Sequence, residues 1–370
     1  MTRPAFTAAR RIVIKAGSAL VDGQSPACAA IANDIAYLRA TGVDVVLVSS
    51  GAIALGCPRL GINRDGETDR LSLEQKQAAA AAGQPALIQA WEQAFAAHNI
   101  TTAQALITLD VTESRRRWLN ARATLNTLLG YGAIPIVNEN DTVATDEIRY
   151  GDNDRLAARV AQLIGADLLV LLSDIEGLYD ADPRTDPAAR LIGDIPTIDA
   201  SIHAMAGDAV SSVGTGGMKT KILAAEMAAA SGCATAISLG SVEEPVLRLA
   251  SKSCGSWFHP SQSTASAREQ WIAGSLNPVG KICVDDGAAS AVLQGKSLLP
   301  IGAISINGKF ERGDTVQITK AGGKLIARGI SAYDAADARR ILGRQTGEIE
   351  AILGYRRSAA LVHTDDIVLV

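Results

Sequence analysis

The length and composition of the chain predict a soluble globular protein with two domains. It has 370 residues, of which 48% are hydrophobic and 20% charged, and its formal net charge is −4. Chains of this size and apolar content can bury more than one core. No stretch approaches the roughly 18 uncharged apolar residues that a membrane span needs, so we expect no membrane partner.

Cysteine and histidine usage excludes two other classes of protein. The five cysteines are widely spread, without a Cys-x-x-Cys pair, and the four histidines are equally scattered. This pattern indicates neither a disulfide framework nor a transition-metal site. A reducing compartment fits it, and we expect the protein to be cytoplasmic.

The first two thirds of the chain alternate buried-type strands with helical patterns. Residues 12–15 and 43–48 are apolar strand patterns, with a helical pattern between them at 27–39. A long helical region at 71–97 carries a predicted break at 83–85, where glycine and proline occur together. Further strands are predicted at 101–109, 133–137, 167–172 and 234–238, and further helices at 115–129 and 156–163. This order predicts an α/β fold, with a mostly parallel sheet sandwiched by helices.

Polar residues follow several of these strands directly. Lys15 ends the first strand, Ser50 follows the second, and the turn segments 138–141 and 151–154 together hold four carboxylates and three amides. Ligands of parallel sheets bind at the carboxyl ends of the strands. These segments therefore predict a site that binds an amine and orients a polar substrate, although a solvated loop is the simpler alternative for any one of them.

A glycine-rich segment at 214–221 precedes a helical pattern at 222–230. Its backbone N–H groups, two lysines and the positive end of the helix favour an anion, so we predict a phosphate loop. Neither the Walker A pattern nor the Gly-x-Gly-x-x-Gly fingerprint matches, because Met218 follows Gly217 and no third glycine stands at position 219. A flexible glycine turn before an ordinary helix is the alternative.

The C-terminal part differs in pattern and charge. Short β-type runs between glycine turns begin near residue 280 and predict a small β-rich domain. We expect one domain at 1–275 and a second at 280–357, which carries 12 Lys/Arg against 8 Asp/Glu, a net charge of +4.

Six motifs in the same order resemble the amino acid kinase family, and within it the members that phosphorylate the side-chain carboxylate of L-glutamate. The segment at 280–357 is similar to the PUA domain that follows many of these kinases. The matching motifs are at 13–18, 48–53, 137–141, 151–154, 173–179 and 214–221.

This resemblance implies an ATP- and Mg²⁺-dependent kinase that makes L-glutamyl 5-phosphate, the first step of proline biosynthesis. Lys15 and Lys221 match the two lysines that contact the transferred phosphoryl group, and Asp174 matches the aspartate that holds such lysines in position. Asn138 and Asp154 lie close enough in sequence to the implied glutamate-binding residues to assist in holding glutamate. The implied ATP-binding residues are Lys15, Ser173, Asp174, Thr215, Gly216, Gly217, Met218, Lys219, Thr220 and Lys221, and the implied glutamate-binding residues are Ser50, Asp141 and Asn153.

The resemblance also implies partners. These are L-glutamate, proline as a feedback inhibitor, glutamyl phosphate reductase as the enzyme that takes over the product, and further copies of the chain in a dimer or tetramer. Two alternatives stay open: a related carboxylate or carbamate kinase of the same family, and RNA binding by the C-terminal domain. RNA is the less expected partner, because that domain has few aromatic residues for base stacking.

Overall fold

The structure, a computed structural model, describes residues 3–21, 26–62, 71–108, 115–143, 153–206, 217–251, 253–260 and 278–370. The chain divides into two compact units, residues 1–264 and 265–370. Residues 261–277, around the predicted domain limits, lie outside the described residues, and the limits 1–275 and 280–357 stay predictions. Among the helices that are described, none has the length and apolar character needed to cross a membrane.

The first unit is built on an eight-stranded sheet, as far as its residues are described. The strand order is β3-β4-β2-β1-β5-β7-β8-β6, and every neighbouring pair is parallel except β7 with β8. Its strands are β1 (Arg11–Ala16), β2 (Asp44–Ser49), β3 (Thr102–Ile107), β4 (Ile134–Glu139), β5 (Leu168–Ser173), β6 (Asp194–Ile195), β7 (Ala234–Leu239) and β8 (Ser256–Phe258).

Helices cover both faces of this sheet. Because side chains alternate along a strand, Ile12 and Ile14 of β1 pack into one hydrophobic cluster, whereas Val13 packs into another. The mostly parallel, helix-sandwiched sheet predicted from the sequence is confirmed. The helices are α1 (Pro4–Thr7), α2 (Ala27–Ala40), α3 (Ala52–Arg59), α4 (Leu73–Ala96), α5 (Arg115–Gly130), α6 (Asn153–Ile164), α7 (Ala200–Met205) and α8 (Met218–Ala229).

The helix α4 runs without interruption, so the predicted break at 83–85 is wrong. Pro85 lies inside the helix, and a capping box between Ser72 and Gln75 begins it. Packing requires a glycine at position 83, because a Cβ there would lie 1.8 Å from the Ala52 carbonyl oxygen of α3. The glycine therefore allows α3 and α4 to pack closely and does not form a turn.

The second unit contains a five-stranded sheet in the order β10-β9-β11-β12-β13. Neighbouring strands are antiparallel except β9 with β11, and a separate hydrophobic cluster fills the unit. The predicted β-rich character is confirmed, with three short helices added. The elements are β9 (Gly280–Val284), α9 (Asp286–Leu293), β10 (Ala303–Gly308), β11 (Thr315–Lys320), β12 (Leu325–Ile330), α10 (Ala335–Arg340), α11 (Ile349–Leu353) and β13 (Ile367–Leu369).

The close approach of α3 and α4 predicts a large effect for Gly56→Ala. A Cβ at Gly56 would lie 1.7 Å from the Ala79 carbonyl oxygen, and separating the helices should lower the free energy of unfolding by about 2–3 kcal/mol. Urea unfolding of the full chain measures this. The matched control is Gly130→Ala at the end of α5, where nothing lies within 4 Å; it should leave stability unchanged or slightly higher. Equal effects of the two substitutions would contradict the packing argument.

Candidate active site

Two buried lysines share one buried carboxylate. Lys15 Nζ lies 2.6 Å from Asp154 Oδ1, and Lys221 Nζ lies 3.0 Å from Asp154 Oδ2. The side chain of Asp154 is fully buried, and those of Lys15 and Lys221 are 8% and 6% exposed. Lysines at positions 15 and 221 therefore meet at a single point of the fold.

Three different elements bring these side chains together. Lys15 is the penultimate residue of β1, at the carboxyl end of the parallel sheet. Asp154 lies in the first turn of α6, and Lys221 lies in the first turn of α8. The amino terminus of a helix favours negative charge, so the position of Asp154 suits its carboxylate.

The charges of this group determine how it titrates. Burial alone would raise the pKa of Asp154, but the positive charges of Lys15 and Lys221 and their hydrogen bonds outweigh it and lower that pKa to about 2. Asp154 is therefore ionised at neutral pH. Two ammonium groups and one carboxylate carry a net charge of +1, which favours a further anion beside them.

The start of α8 adds donors to the same region. Gly217 is the N-cap residue of a 12-residue helix and has no side-chain cap. The Thr220 N–H donates to the Gly217 carbonyl oxygen, and the N–H groups before it can face other acceptors. Thr220 Oγ1 donates to the Gly217 carbonyl oxygen at 2.7 Å and lies 3.3 Å from Asp154 Oδ2. Met218 is half-buried and Lys219 is exposed. Thr215 and Gly216, also predicted to bind ATP, lie outside the described residues.

Amide groups link two of the three residues predicted to bind L-glutamate. Asn153 Nδ2 donates to Ser50 Oγ at 2.7 Å and to Asn138 Oδ1 at 3.0 Å. Asn138 Nδ2 donates in turn to Gln84 Oε1 at 2.9 Å. Because Asn153 directly precedes Asp154, the first turn of α6 joins this amide chain to the two lysines.

Asp141, the third of these residues, lines a cavity of about 530 Å³. The cavity lies between α4 and the ends of β3 and β4, and Gln84, Glu139 and Leu106 also line it. Asp141 and Gln84 therefore line the same cavity, and Gln84 is hydrogen-bonded to Asn138 of the amide chain.

Ser173 ends β5 at the same edge of the sheet as Lys15, and Asp174 follows it directly. Ser173 is buried and donates from Oγ to Asp174 Oδ1 at 3.0 Å, whereas Asp174 is exposed. Within the described part of the chain, the carboxylate recorded on both lysines is that of Asp154. The role of Asp174 in holding the lysines stays a prediction.

The local sequence signals for these residues differ in strength. The sequence predicts for Asp154 only an assisting role in holding glutamate, because an acidic residue at the start of an apolar helix pattern is equally typical of a helix cap. Gln84 was missed altogether, because it lies between Gly83 and Pro85 and was interpreted as part of a turn. Contacts between side chains that lie far apart in the sequence leave no local sequence pattern.

The pairing of Asp154 predicts a pH-dependent contribution to stability. Replacing Asp154 by Asn removes the negative charge that two buried ammonium groups share, and the free energy of unfolding should fall by about 3–5 kcal/mol at pH 7. Since the pKa of Asp154 is about 2 in the folded chain and about 3.9 when unfolded, this contribution is complete above the unfolded value and is lost as pH falls toward 2.

Urea unfolding of both proteins between pH 7 and pH 3 checks this. The difference between unaltered protein and Asp154→Asn should be constant at neutral pH and should narrow below about pH 4. Asp182→Asn, which removes an exposed pair with Arg184, is the control and should change little. A difference that stays constant down to pH 3 would contradict the assigned pKa.

Comparison with known proteins gives the family. The model of the amino acid kinase family matches residues 10–237, and that of the PUA domain matches residues 280–353. Glutamate 5-kinase of Rhizobium johnstonii is 54% identical over 365 residues, which cover 97% of this chain and 93% of that protein. Glutamate 5-kinase of Caulobacter vibrioides strain NA1000 is 54% identical over 371 residues, covering 98% and 97%.

The alignment with a third relative covers almost the whole of this chain and of that protein. Glutamate 5-kinase of Paramagnetospirillum magneticum is 50% identical over 370 residues, covering 98% of this chain and 99% of that protein. The resemblance found in six motifs therefore holds along nearly the full length. The chain belongs to the amino acid kinase family, in the group of its glutamate 5-kinases, and carries a PUA domain after the kinase domain.

Proposed function

We propose that this protein transfers the terminal phosphoryl group of ATP to the side-chain carboxylate of L-glutamate. The product is L-glutamyl 5-phosphate, the first intermediate of proline biosynthesis. The observation that carries the proposal is the convergence of Lys15 and Lys221 on Asp154. The similarity to three glutamate 5-kinases supports the choice of substrate over a related carboxylate or carbamate.

The acceptor requires no general base. A glutamate side chain has a reference pKa of about 4.3, so it is already an anionic nucleophile at neutral pH. The main barrier is the repulsion between this anion and the phosphates, which an enzyme lowers by positioning the reactants and by placing cations around the phosphoryl oxygens. Lys15 and Lys221 supply two such cations.

In this mechanism Asp154 is a positioning residue. Two ammonium groups near one point repel each other, and a shared carboxylate offsets that repulsion and fixes both side chains. Its low pKa keeps it charged over the working pH range. The two ammonium groups held in this way can stabilise the negative charge that develops on the phosphoryl group.

ATP fits the donors at the start of α8 and at the end of β5. The N–H groups after Gly217, with Lys219 and Thr220, would hold phosphate oxygens, and Ser173 and Asp174 would complete the nucleotide site, as predicted from the sequence. Magnesium would be bound mainly by phosphate oxygens and water, which is its usual arrangement with nucleotides, and it would neutralise phosphate charge. Its protein ligands are not assigned.

L-Glutamate is assigned to the amide chain and the neighbouring cavity. Ser50 and Asn153 would hold it near the lysines, and Asp141 would bind its ammonium group. Proline as an inhibitor, a homo-oligomer of two or four subunits and transfer of the product to glutamyl phosphate reductase are further proposals, supported by the family resemblance alone.

Turnover by the full-length protein tests the function. With ATP, Mg²⁺ and L-glutamate we expect ADP formation, and trapping with hydroxylamine should give the hydroxamate expected of an acyl phosphate. Absence of both products under conditions where a related glutamate 5-kinase is active would overturn the proposal.

The lysine variants test the mechanism. Lys15→Met and Lys221→Met each remove one cation from the phosphoryl group and should lower kcat by about 100-fold or more. Lys76→Met on α4, outside the proposed site, is the control and should retain full activity. Near-normal kcat in either of the first two variants would show that its ammonium group does not act on the transferred phosphoryl group.

A further inference from the structure

The amide of Gln84 connects the two parts of the proposed glutamate site. Its Oε1 accepts from Asn138 Nδ2, and Asn138 Oδ1 accepts from Asn153 Nδ2. Gln84 also lines the cavity that contains Asp141. It is thus the residue at which the amide chain from the lysines meets the cavity.

The direction of the hydrogen bonds determines which end of Gln84 faces away from this chain. Asn153 Nδ2 is 3.4 Å from the carbonyl oxygen of Ser49, which can only accept. Asn138 must then present its oxygen to Asn153 and its NH₂ group to Gln84. Gln84 accepts this hydrogen bond through Oε1, so its Nε2 is left for another partner.

That Nε2 atom is buried and has no hydrogen-bond partner among the described residues. A buried donor that makes no hydrogen bond is costly, and native proteins seldom retain one. The adjoining cavity, of about 530 Å³, has the size of a small-molecule site. A ligand that brings an acceptor oxygen to Nε2 would remove this cost.

We propose that Gln84 Nε2 donates a hydrogen bond to the α-carboxylate of the acceptor amino acid. The assignment rests on the proposed function, in which the side-chain carboxylate lies beside Lys15 and Lys221. Asp154 and Asn153 lie at the lysine end of the amide chain, and Gln84 lies at the opposite end. The α-carbon end of the substrate therefore reaches the cavity. The carboxylates of Glu139 and Asp141 on the cavity wall suit the α-ammonium group beside it.

The proposal makes Gln84 a determinant of specificity, and two ligands test it. L-Glutamate has an α-carboxylate, whereas 4-aminobutyrate has the same chain without it. We expect Gln84→Met to raise the Kd of L-glutamate by about tenfold or more, because one hydrogen bond to a charged group is lost. The Kd of 4-aminobutyrate should change by less than about twofold, since it lacks the group that Nε2 contacts. Isothermal titration of the full chain measures both constants.

A second variant separates the donor from the rest of the side chain. Gln84→Glu keeps an acceptor for Asn138 and nearly the same volume, but it has no NH₂ group. It should also lose the preference for L-glutamate over 4-aminobutyrate. Gln89→Met makes the same change as the first variant at an exposed position of α4, and both Kd values should stay at those of the unaltered protein.

Two results would overturn the inference. If either Gln84 variant keeps the original ratio of the two Kd values with unchanged affinities, Nε2 does not contact the substrate. If both ligands weaken equally, Gln84 has only a structural role. Turnover of L-glutamate by the unaltered protein is measured separately, so failure of the proposed function is distinguishable from failure of this assignment.

Discussion

The interaction on which the site depends is the shared ion pair of Lys15 and Lys221 with Asp154. Neither lysine is stable in a buried position without a counter-charge, and a single carboxylate between them offsets both. The arrangement keeps a net positive charge, which makes it suited to an anionic ligand. The local structure of three separate elements is arranged so that these charged atoms meet.

The parallel sheet explains how distant residues reach one place. The carboxyl ends of β4, β2, β1 and β5 lie at the same edge, so Asn138, Ser50, Lys15 and Ser173 follow one another across the sheet. Two helices begin at that edge and direct their positive ends toward it. The first turn of α6 has a double function, because Asn153 contacts the proposed glutamate side while Asp154 contacts the lysines.

Close packing of α3 on α4 places residues of α4 beside this edge of the sheet. The glycines at the crossing allow the two backbones to touch, which holds Gln84 of α4 within hydrogen-bond distance of Asn138 on β4. Trp91 of the same helix donates to Ser49 Oγ at 2.8 Å and anchors the end of β2 beside Ser50. The packing of α4 therefore also positions residues beside the proposed glutamate site.

The sequence alone determined the α/β class, the order of strands β1, β2, β3, β4, β5 and β7, the β-rich second unit, and the polar segments that directly follow strands. These features have local causes: apolar runs of strand length, helical periodicity and polar residues directly after strands. Tertiary structure decided that α4 is continuous through Gly83 and Pro85, that Asp154 is the carboxylate between the lysines, and that Gln84 accepts a hydrogen bond from Asn138. Each of these depends on atoms from segments far apart in the chain, where packing overrides local preference and leaves no periodic pattern to detect.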